Sequence, residues 1–506
     1  MVEQLNRYID EHFDQLVRDT QELVSVESTL DESTAGPGAP FGTGIQKALS
    51  LALKKGKDMG FDVRNYDGYA GYIQYGTSGE QAAILAHIDV VPAIGQWIVP
   101  PYSAQIVDNR LYGRGSVDDK GPLVACLYAM KAIQESGLPV RNHLRMILGT
   151  DEETLARGIY YYLDREDPPA FGFSPDAEFP VIHAEKGTIR YLYHLPPADQ
   201  DILSIHAGSR LNVVPDQAEA RLAHISPEQV QALISSLNTR ATITARAEGS
   251  DTIVEVQGLA SHACYPAEGI NAIQALLLLI KKLYPAQDTP LKEALAGLSD
   301  LLQEETDGVS MGIACTDEVS GALTLNTAII TVDDTASQIK FDIRYPVTHD
   351  GNEILKQLEE IESKIPAKYE LIQHKPPLYV EKDRPFIKAL QNAYQESTGQ
   401  EPRCISIGGG TYCRYVKNTV SLLKDAYYGT TDQKKFEARI IRKALRKDIA
   451  QFKEYVREYQ EAENEEERED VVYLLKKELQ DSSEFAAFKR WLIWDNEMYS
   501  ELEEYI

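Results

Sequence analysis

Side chains of metal-ligating types follow short hydrophobic runs at several points in the first part of the chain. The set comprises His87, Asp89, Asp118, Glu152, Glu153 and Asp176. The run Ala82–Ala86, directly before His87, is typical of a buried strand, and comparable runs precede or border the other members. Because the ends of neighbouring parallel strands meet at one edge of a sheet, we expect these side chains to converge in one crevice.

A carboxylate-rich set with one imidazole suits a divalent metal ion, and zinc accepts both histidine nitrogen and carboxylate oxygen as ligands. In the sequence His87-Ile88-Asp89 an extended backbone places the two polar side chains on the same face. A carboxylate that accepts the second imidazole N–H fixes the orientation of a ligating histidine. We therefore expect Asp89 to orient His87, and a turn-starting aspartate is the alternative.

Asp118 lies in a glycine-punctuated loop, Gly113–Gly121, immediately before a helical pattern. A carboxylate is favoured at a helix N-terminus, so a capping role would explain Asp118 by itself. Its two oxygens also suit the bridging position between two cations about 3.5 to 4 Å apart, which is the spacing of co-catalytic metal sites. The loop sequence leaves both interpretations open.

Asp151, Glu152 and Glu153 stand together after the apolar stretch Arg145–Leu148. Three adjacent acids repel one another in a buried turn unless a cation offsets their charge. One of two adjacent glutamates can coordinate a metal ion while the other accepts a proton from water. The sequence therefore predicts metal binding here, and a solvated acidic turn is the alternative.

Helical and strand patterns alternate in the part of the chain that carries these residues. Apolar positions recur at helical spacing over residues 3–25, Ile45–Met59 and Leu123–Gln134. Strand patterns cover Phe61–Tyr66 and Leu144–Leu148. This alternation predicts an α/β domain over residues 1–186.

The pattern becomes rich in strands over residues 187–376, with helices such as Ala272–Leu283 between them, so we expect an inserted α+β domain. Residues 377–420 resume the first style, with a helical pattern at Pro385–Thr398 and a strand that enters the loop Gly408–Thr411. The long charged helical patterns of residues 421–506 predict a solvated or interacting helical tail.

The length and charge of the chain limit its class. A chain of 506 residues exceeds what one hydrophobic core usually serves, so at least two domains are expected. A formal net charge of -27 argues against nucleic acid or an anionic membrane as a partner. The chain has no stretch typical of a signal peptide or a membrane span, and its five cysteines are scattered, which favours a reducing, cytoplasmic compartment.

Four ordered motifs resemble the aminoacylase/carboxypeptidase superfamily of dinuclear zinc hydrolases, and PepV-type dipeptidases in particular. The motifs are His87-Ile88-Asp89-Val90-Val91-Pro92, Gly113–Gly121, Gly149-Thr150-Asp151-Glu152-Glu153-Thr154 and Ser174-Pro175-Asp176-Ala177-Glu178-Phe179-Pro180. The resemblance covers the chain up to about residue 420. It implies a zinc-peptidase catalytic domain of α/β class with an inserted α+β lid domain.

The resemblance also implies roles for the acidic set. His87 and Asp176 would hold one zinc ion, Asp118 would bridge, and Glu153 would hold the second, so two zinc ions per chain are expected. Glu152 would act as the general base in the hydrolysis of a dipeptide by metal-activated water. The substrate would be a small peptide, and the size of the inserted domain favours a monomer.

Residues of the inserted domain and of the glycine loop resemble the family's substrate contacts. His262 would stabilise the tetrahedral intermediate, and Asn212 and Arg344 would bind the substrate beside the loop that contains Gly409. A guanidinium group can bind a peptide carboxylate with two parallel hydrogen bonds, which suits Arg344. A structural histidine and a salt bridge on a strand face are the alternatives for His262 and Arg344.

One position departs from the family pattern. Family members supply a further zinc-binding histidine shortly after the Gly-Gly-Gly-Thr motif, but the last histidine of this chain is His374. Asp425 and Asp432 are candidate substitutes, although their spacing does not single out either, and one zinc held by His87, Asp118 and Asp176 is a smaller alternative. Two hypotheses follow: a zinc dipeptidase, or a catalytically impaired homologue that binds a peptide or another protein.

Overall fold

The computed structural model describes residues 2–137, 140–177 and 180–423. The helical predictions within these ranges are confirmed, since a helix covers most of each predicted segment. The helices are α1 (Val2–Glu11), α2 (Phe13–Val24), α3 (Thr43–Asp58), α4 (Lys120–Glu135), α5 (Arg157–Leu163), α6 (Pro227–Ile234), α7 (Ala272–Leu283), α8 (Pro290–Leu302), α9 (Gly351–Glu360) and α10 (Pro385–Thr398).

The strands form two large sheets and two short hairpins. They are β1 (Asp62–Tyr66), β2 (Ala70–Tyr75), β3 (Gln81–His87), β4 (Gln105–Val107), β5 (Arg110–Tyr112), β6 (His143–Gly149), β7 (Phe171–Ala177), β8 (Val181–Glu185), β9 (Gly187–His194), β10 (Ile202–Ala207), β11 (Gln217–Leu222), β12 (Thr242–Glu248), β13 (Asp251–Gln257), β14 (Thr316–Asp317), β15 (Gly321–Ala322), β16 (Thr324–Val332), β17 (Ser337–Tyr345), β18 (Lys368–Lys375), β19 (Leu378–Tyr379), β20 (Cys404–Ile407) and β21 (Thr419–Leu423).

The first sheet has nine strands in the order β1-β2-β6-β3-β7-β21-β8-β19, with β20 paired to β8. Its centre is parallel, because β3 runs parallel to both β6 and β7 and β7 runs parallel to β21. His87, the last residue of β3, pairs with Gly149, the last residue of β6. The carboxyl ends of these strands therefore lie at one edge of the sheet, where ligands bind in open α/β sheets.

Hydrophobic cores cover both faces of the first sheet. On one face Leu49 of α3 and Leu127 of α4 pack against Ile84 and Met146 of the central strands. On the other face Ile159 of α5 and Ile387 of α10 belong to a second buried cluster. Because both faces of the sheet are covered, the sequences of β3 and β6 are mostly apolar and do not alternate between apolar and polar residues.

The second sheet has eight strands in the order β12-β13-β11-β10-β16-β17-β9-β18, and its pairs are antiparallel. One face carries an apolar core with α7 and α8, in which Tyr191, Phe341 and Leu276 are fully buried. The opposite face carries polar residues at alternate positions near one end of the sheet, which include Arg190, Asp342 and Arg344. The chain thus combines an α/β and an antiparallel sheet, so the predicted mixed α/β class is confirmed.

Two details differ from the sequence patterns. Residues 3–25 form two helices, because the backbone at His12 (φ -112°, ψ 10°) leaves the helical region and its ring Nδ1 bonds the carbonyl of Tyr8 at 2.8 Å. Strand β21 continues to Leu423, past the boundary expected at residue 420. The rest of the predicted helical tail, residues 424–506 with Asp425 and Asp432, lies outside the described residues.

Within the described part of the chain, every helix is too short or too polar to cross a lipid bilayer.

Candidate functional site

The ends of β3 and β7 bring His87 and Asp176 together. His87 Nε2 lies 3.6 Å from Asp176 Oδ2 and 3.0 Å from Asp118 Oδ1, which comes from the loop before α4. His87 and Asp176 are buried, with 1% and 5% of their surfaces exposed. The expected convergence of these strand ends is therefore present in the structure.

Two groups of side chains at this edge have the spacing of a metal site. One consists of His87, Glu152 and Asp176, and the other of His87, Asp118 and Glu153; within each group the ligand atoms lie within 4.8 Å of one another. Glu152 belongs to the first group, so its position is compatible with a ligand as well as with a base. Mixed imidazole and carboxylate donors are the set that zinc accepts.

Backbone contacts fix the tautomer of His87. Its Nδ1 lies 3.0 Å from the carbonyl oxygen of Asp89, and a carbonyl can only accept, so Nδ1 carries a proton. Nε2 then points at the acidic groups and is the nitrogen available to a metal ion. The backbone N–H of His87 donates to Asp119 Oδ2 at 3.1 Å. The imidazole is thereby held in a ligating orientation.

The carboxylate of Asp89 makes a different contact from the one expected. Its Oδ2 accepts a hydrogen bond from the backbone N–H of Glu153 at 3.0 Å, while its Oδ1 stands 3.5 Å from His87 Nδ1 and has no hydrogen bond among the described residues. Asp89 thus orients the histidine through its carbonyl and the acidic turn through its side chain.

The loop that carries Asp118 is anchored at its helical end. Lys120, the first residue of α4, is fully buried and donates from Nζ to the carbonyl of Val26 at 2.7 Å. Burial lowers the pKa of Lys120 to about 7, and the charge of Asp89 opposes that shift. The peptide bond between Asp118 and Asp119 is cis.

Crowding of acids shifts the pKa values at this edge. Burial raises the pKa of Glu153 to about 8, and the charge of Asp118 adds to the effect. Burial also raises the pKa of Glu152 well above its usual value, while the nearby His87 lowers it. For His87, burial lowers the pKa, but hydrogen bonds with Asp118 and Asp176 outweigh burial and raise it. A bound divalent cation would relieve this repulsion, so the donor set fits a metal site.

The glycine loop, Gly408–Thr411, and the following Tyr412 pack against the acidic edge, which is the carboxyl edge of the first sheet with His87 and the acidic side chains. The ring of Tyr412 lies edge-on to His87, and its hydroxyl accepts from the backbone N–H of Asp151 at 3.4 Å. A Cβ at Gly149 would collide with this ring. Close packing of Tyr412 thus explains the glycine at the end of β6.

Buried hydrogen bonds hold the glycine loop in place. Thr411 donates to Glu185 from its backbone N–H at 3.0 Å and from its hydroxyl at 2.8 Å. Arg414 donates to the carbonyl of Gly409 at 2.9 Å and lies 3.6 Å from Glu185. Gly409 itself faces open space, since an added Cβ would meet only Ile407, at 3.7 Å.

His262 and Asn212 lie beside each other on loops of the second sheet. The backbone N–H of Ala263 donates to the carbonyl of Asn212 at 3.0 Å, and Val213 pairs with His262 in an isolated bridge. The backbone N–H of Cys264 donates to His262 Nδ1 at 3.2 Å, so Nε2 carries the proton of the neutral ring. Burial and the charge of Arg344 lower the pKa of His262.

Arg344 lies at the boundary between the two sheets and is 6% exposed. Its Nε and Nη2 donate to the two carboxylate oxygens of Asp342 at 2.6 and 3.1 Å. Its Nη1 donates to the hydroxyl of Thr188 at 3.1 Å and to the carbonyl of Gly408 at 3.0 Å. These contacts leave one of its five N–H groups for a further acceptor.

The comparison with protein families identifies the chain at the family level. The model of peptidase family M20/M25/M40 matches residues 83–447. The chain belongs to peptidase family M20/M25/M40. This match ends at residue 447, past residue 420, where the resemblance of the sequence motifs ends. It also agrees with the metallopeptidase class that those motifs predict.

Relatives of this M20/M25/M40 peptidase carry dipeptidase names. The Bacillus subtilis (strain 168) protein named "Putative dipeptidase YtjP" is 37% identical over 418 residues, which cover 80% of this chain and 89% of that protein. A Staphylococcus epidermidis (strain ATCC 12228 / FDA PCI 1200) protein named "Putative dipeptidase" is 32% identical over 425 residues, which cover 81% and 90% of the two chains.

The fold of this family member also resembles a solved dipeptidase. The crystal structure of human carnosine dipeptidase 1 matches with a TM-score of 0.51 at 17% identity, covering 84% of this chain and 93% of that one. At this level of identity the likeness concerns the fold alone.

Several residues that position the site were not singled out in the sequence. Asn326 donates to the carbonyls of Leu211 and Val213 at 3.2 and 2.9 Å, and so holds the loop that carries Asn212. Asp342 could have been found from strand alternation, because it lies two residues before Arg344 on the same face. Asn326 gave no signal of this kind, since its partners are distant in sequence.

Proposed function

We propose that the chain is a zinc-dependent dipeptidase in which Glu152 acts as the general base. The observation that carries this proposal is the convergence of His87 with Asp118, Glu152, Glu153 and Asp176 at the carboxyl edge of the first sheet. We further propose that the first sheet is the core of the catalytic domain and that residues 187–376 form its lid.

The residues at this edge fit two zinc ions. His87 and Asp176 would hold the first ion, Glu153 the second, and Asp118 would bridge them; all four residues belong to the two three-residue groups. Zinc bound here would supply Lewis-acid activation of a water molecule and of the peptide carbonyl. The raised pKa of Glu153 supports a cation at this position, because burial and neighbouring acids disfavour its charge.

Glu152 would accept the proton of the attacking water and later deliver one to the leaving amine. It lies in the same group as His87 and Asp176 and so borders the place where the water must stand. Burial and surrounding carboxylates raise the pKa of Glu152, and a base with a raised pKa holds a transferred proton more readily. A bound cation would lower this pKa towards neutrality.

The second sheet would supply the groups that bind the substrate. The neutral His262 with its proton on Nε2 is suited to donate a hydrogen bond to the tetrahedral intermediate. Asn212 lies beside it, with its side chain exposed. The remaining N–H of Arg344 would bind the C-terminal carboxylate of the dipeptide.

A catalytically impaired homologue is the second candidate. It is favoured by the sequence, in which no histidine follows His374 and the second zinc ion lacks the imidazole that the family supplies. Loss of a ligand costs more affinity than the roughly 10- to 100-fold caused by changes to the groups around ligands. Such a protein would bind a peptide or another protein without turnover.

Metal analysis and turnover separate the two candidates. The full-length protein is equilibrated with zinc, and bound zinc per chain is measured together with the release of free amino acids from Ala-Ala. About two zinc ions with hydrolysis supports the dipeptidase. One ion with no hydrolysis overturns it and supports the impaired homologue.

A further inference from the structure

The polar face of the second sheet carries a row of side chains at the end nearest the first sheet. Thr188 of β9 pairs with Arg344 of β17 on one side and with Lys375 of β18 on the other. Residues directly opposite each other in antiparallel strands point to the same face. Arg344, Thr188 and Lys375 therefore form one cross-strand row.

A second row lies next to it on the same face. Arg190 pairs with Asp342 and with Gln373, and each of these is two residues from a member of the first row. Across the two rows there are three cations, Arg190, Arg344 and Lys375, and one carboxylate. The two rows therefore carry an excess of two positive charges.

Asp342 is fully engaged by the two arginines. It accepts from Arg190 Nε at 2.8 Å and from Arg344 Nε at 2.6 Å. Its single charge therefore leaves Lys375 without a counterion. Arg190 retains further donors, since its Nη2 makes no hydrogen bond among the described residues and its side chain is 28% exposed.

Lys375 differs from the other cations at this boundary. Lys186 donates to the carbonyl of Ala322 at 2.5 Å, and Arg414 lies beside Glu185. The Nζ of Lys375 has no hydrogen bond and no carboxylate oxygen within 4.0 Å among the described residues, although the side chain is partly buried. A partly buried ammonium without a partner is available to a ligand that carries a negative charge.

Lys375 interacts electrostatically with the acidic edge. Burial lowers the pKa of Lys375, the charge of Glu152 raises it, and the charges of Arg414, Arg190 and Arg344 lower it. The charge of Lys375 thus interacts with that of Glu152, although the two side chains form no ion pair within 4.0 Å. The space between Lys375 and Glu152 is where the proposed function places the substrate.

Lys375 also lies close to the point where the chain crosses between the sheets. It is the last residue of β18, and β19 of the first sheet begins at Leu378. Lys375 therefore lies beside the short segment that joins the two sheets.

We propose that Lys375, with Arg190, binds a second carboxylate of the substrate, so that the enzyme prefers dipeptides with a C-terminal aspartate or glutamate. This inference rests on the proposed function, because it specifies which dipeptides the same site would prefer. Arg344 takes the main-chain carboxylate, and the excess of two positive charges matches the two carboxylates of such a dipeptide. A neutral side chain would leave Lys375 unpaired.

The test compares phosphinic analogues of Ala-Glu and Ala-Ala, in which the scissile amide is replaced, by calorimetric titration of the full-length protein. The wild type is expected to bind the Ala-Glu analogue about 10- to 100-fold more tightly, the value of one charge-assisted hydrogen bond. Lys375→Gln should remove this preference and Lys375→Arg should retain it. Lys368→Gln, at the exposed start of the same strand, is the matched control and should bind like the wild type.

Two results would overturn the inference: equal binding of the two analogues by the wild type, or an unchanged preference in Lys375→Gln. Because binding is measured without turnover, the preference is decided even if no dipeptide is hydrolysed. Hydrolysis of Ala-Ala and Ala-Glu is followed in parallel. Absence of hydrolysis with an intact preference for the Ala-Glu analogue would refute the dipeptidase and leave the second carboxylate site standing.

Discussion

The backbone N–H of Glu153 donates to the carboxylate of Asp89 at 3.0 Å, and this bond joins the end of β3 to the turn after β6. The carbonyl of Asp89 also accepts from His87 Nδ1. One residue therefore fixes two of the candidate metal ligands through different atoms. Both contacts join protein atoms, and together they hold His87 and Glu153 in position.

Replacement of Asp89 by alanine should weaken metal binding. Loss of the carboxylate frees the backbone of Glu153, and groups that orient ligands contribute about 10- to 100-fold in affinity. The measurement is a zinc titration against a competing chelator. Asp62→Ala, at an exposed position of β1, is the control and should leave the affinity unchanged. Equal affinities in the two variants would contradict the role of Asp89.

Replacement of Glu152 and Glu153 by glutamine should separate catalysis from metal binding. Glu152→Gln removes the proton acceptor and should lower kcat by about 10²- to 10⁴-fold while zinc content stays unchanged. Glu153→Gln should lower zinc content itself. Both quantities are measured on the same preparations. If Glu152→Gln loses zinc, Glu152 is a ligand and the base must lie elsewhere. The test is needed because Glu152 lies in a three-residue group with the spacing of a metal site.

The acidic edge was accessible to sequence reasoning because each ligand candidate follows a continuous apolar run. Such runs indicate strands buried on both faces, and parallel strands deliver their ends to one edge. Which atom of each residue makes a contact within this edge cannot be predicted from the residue types. The sequence His87-Ile88-Asp89 indicated an orienting residue, but it did not show that the carbonyl oxygen of Asp89, and not its carboxylate, accepts from the ring.

Contacts between distant segments were not accessible. Strand β21 lies between β7 and β8 in the sheet, although more than 200 residues separate it from both. Arg344 bonds the carbonyl of Gly408 across the boundary between the sheets. Such pairings depend on the docking of one sheet against the other, which local patterns do not encode. The carboxylate chemistry of Arg344 and the alternative of a salt bridge on the strand face were both predictable, but its contact with Gly408 was not.

The pKa of His262 should lie below the ordinary value of an imidazole. Burial and the nearby Arg344 lower its pKa, while Asp342 acts in the opposite direction. Arg344→Gln removes a positive charge and leaves the carboxylate, so the pKa of His262 should rise. Ring nitrogen shifts, followed by NMR over pH and assigned with His262→Gln, measure this directly. A fall of the pKa in Arg344→Gln would contradict the assignment.

Asp342→Asn should destabilise the fold. Asp342 is fully buried and pairs with both Arg190 and Arg344, so loss of its charge leaves two guanidinium groups side by side. Removal of one partner of a buried ion pair costs about 3 to 5 kcal/mol. Urea unfolding measures the change in the free energy of unfolding. The control is the exposed pair of Asp300 with Lys281. Asp300→Asn should change the free energy of unfolding by less than about 1 kcal/mol.

Gly409→Ala should affect substrate binding, whereas Gly410→Ala should affect stability. Neither glycine has a positive φ, so alanine is compatible with both backbones. At Gly409 a Cβ meets only Ile407, so stability should change by less than about 0.5 kcal/mol. The added methyl group would narrow the open space beside the loop, so KM for dipeptides should rise if this loop borders the substrate.

At Gly410 a Cβ would collide with the guanidinium of Arg414, which donates to Gly409 and lies beside Glu185. The arginine must then leave its buried partners, and the cost should be about 1 to 3 kcal/mol. Thermal unfolding and dipeptide kinetics, measured on both variants, distinguish the two effects. A stable Gly410→Ala protein would show that Arg414 can move freely, and an unchanged KM in Gly409→Ala would remove this loop from the substrate site.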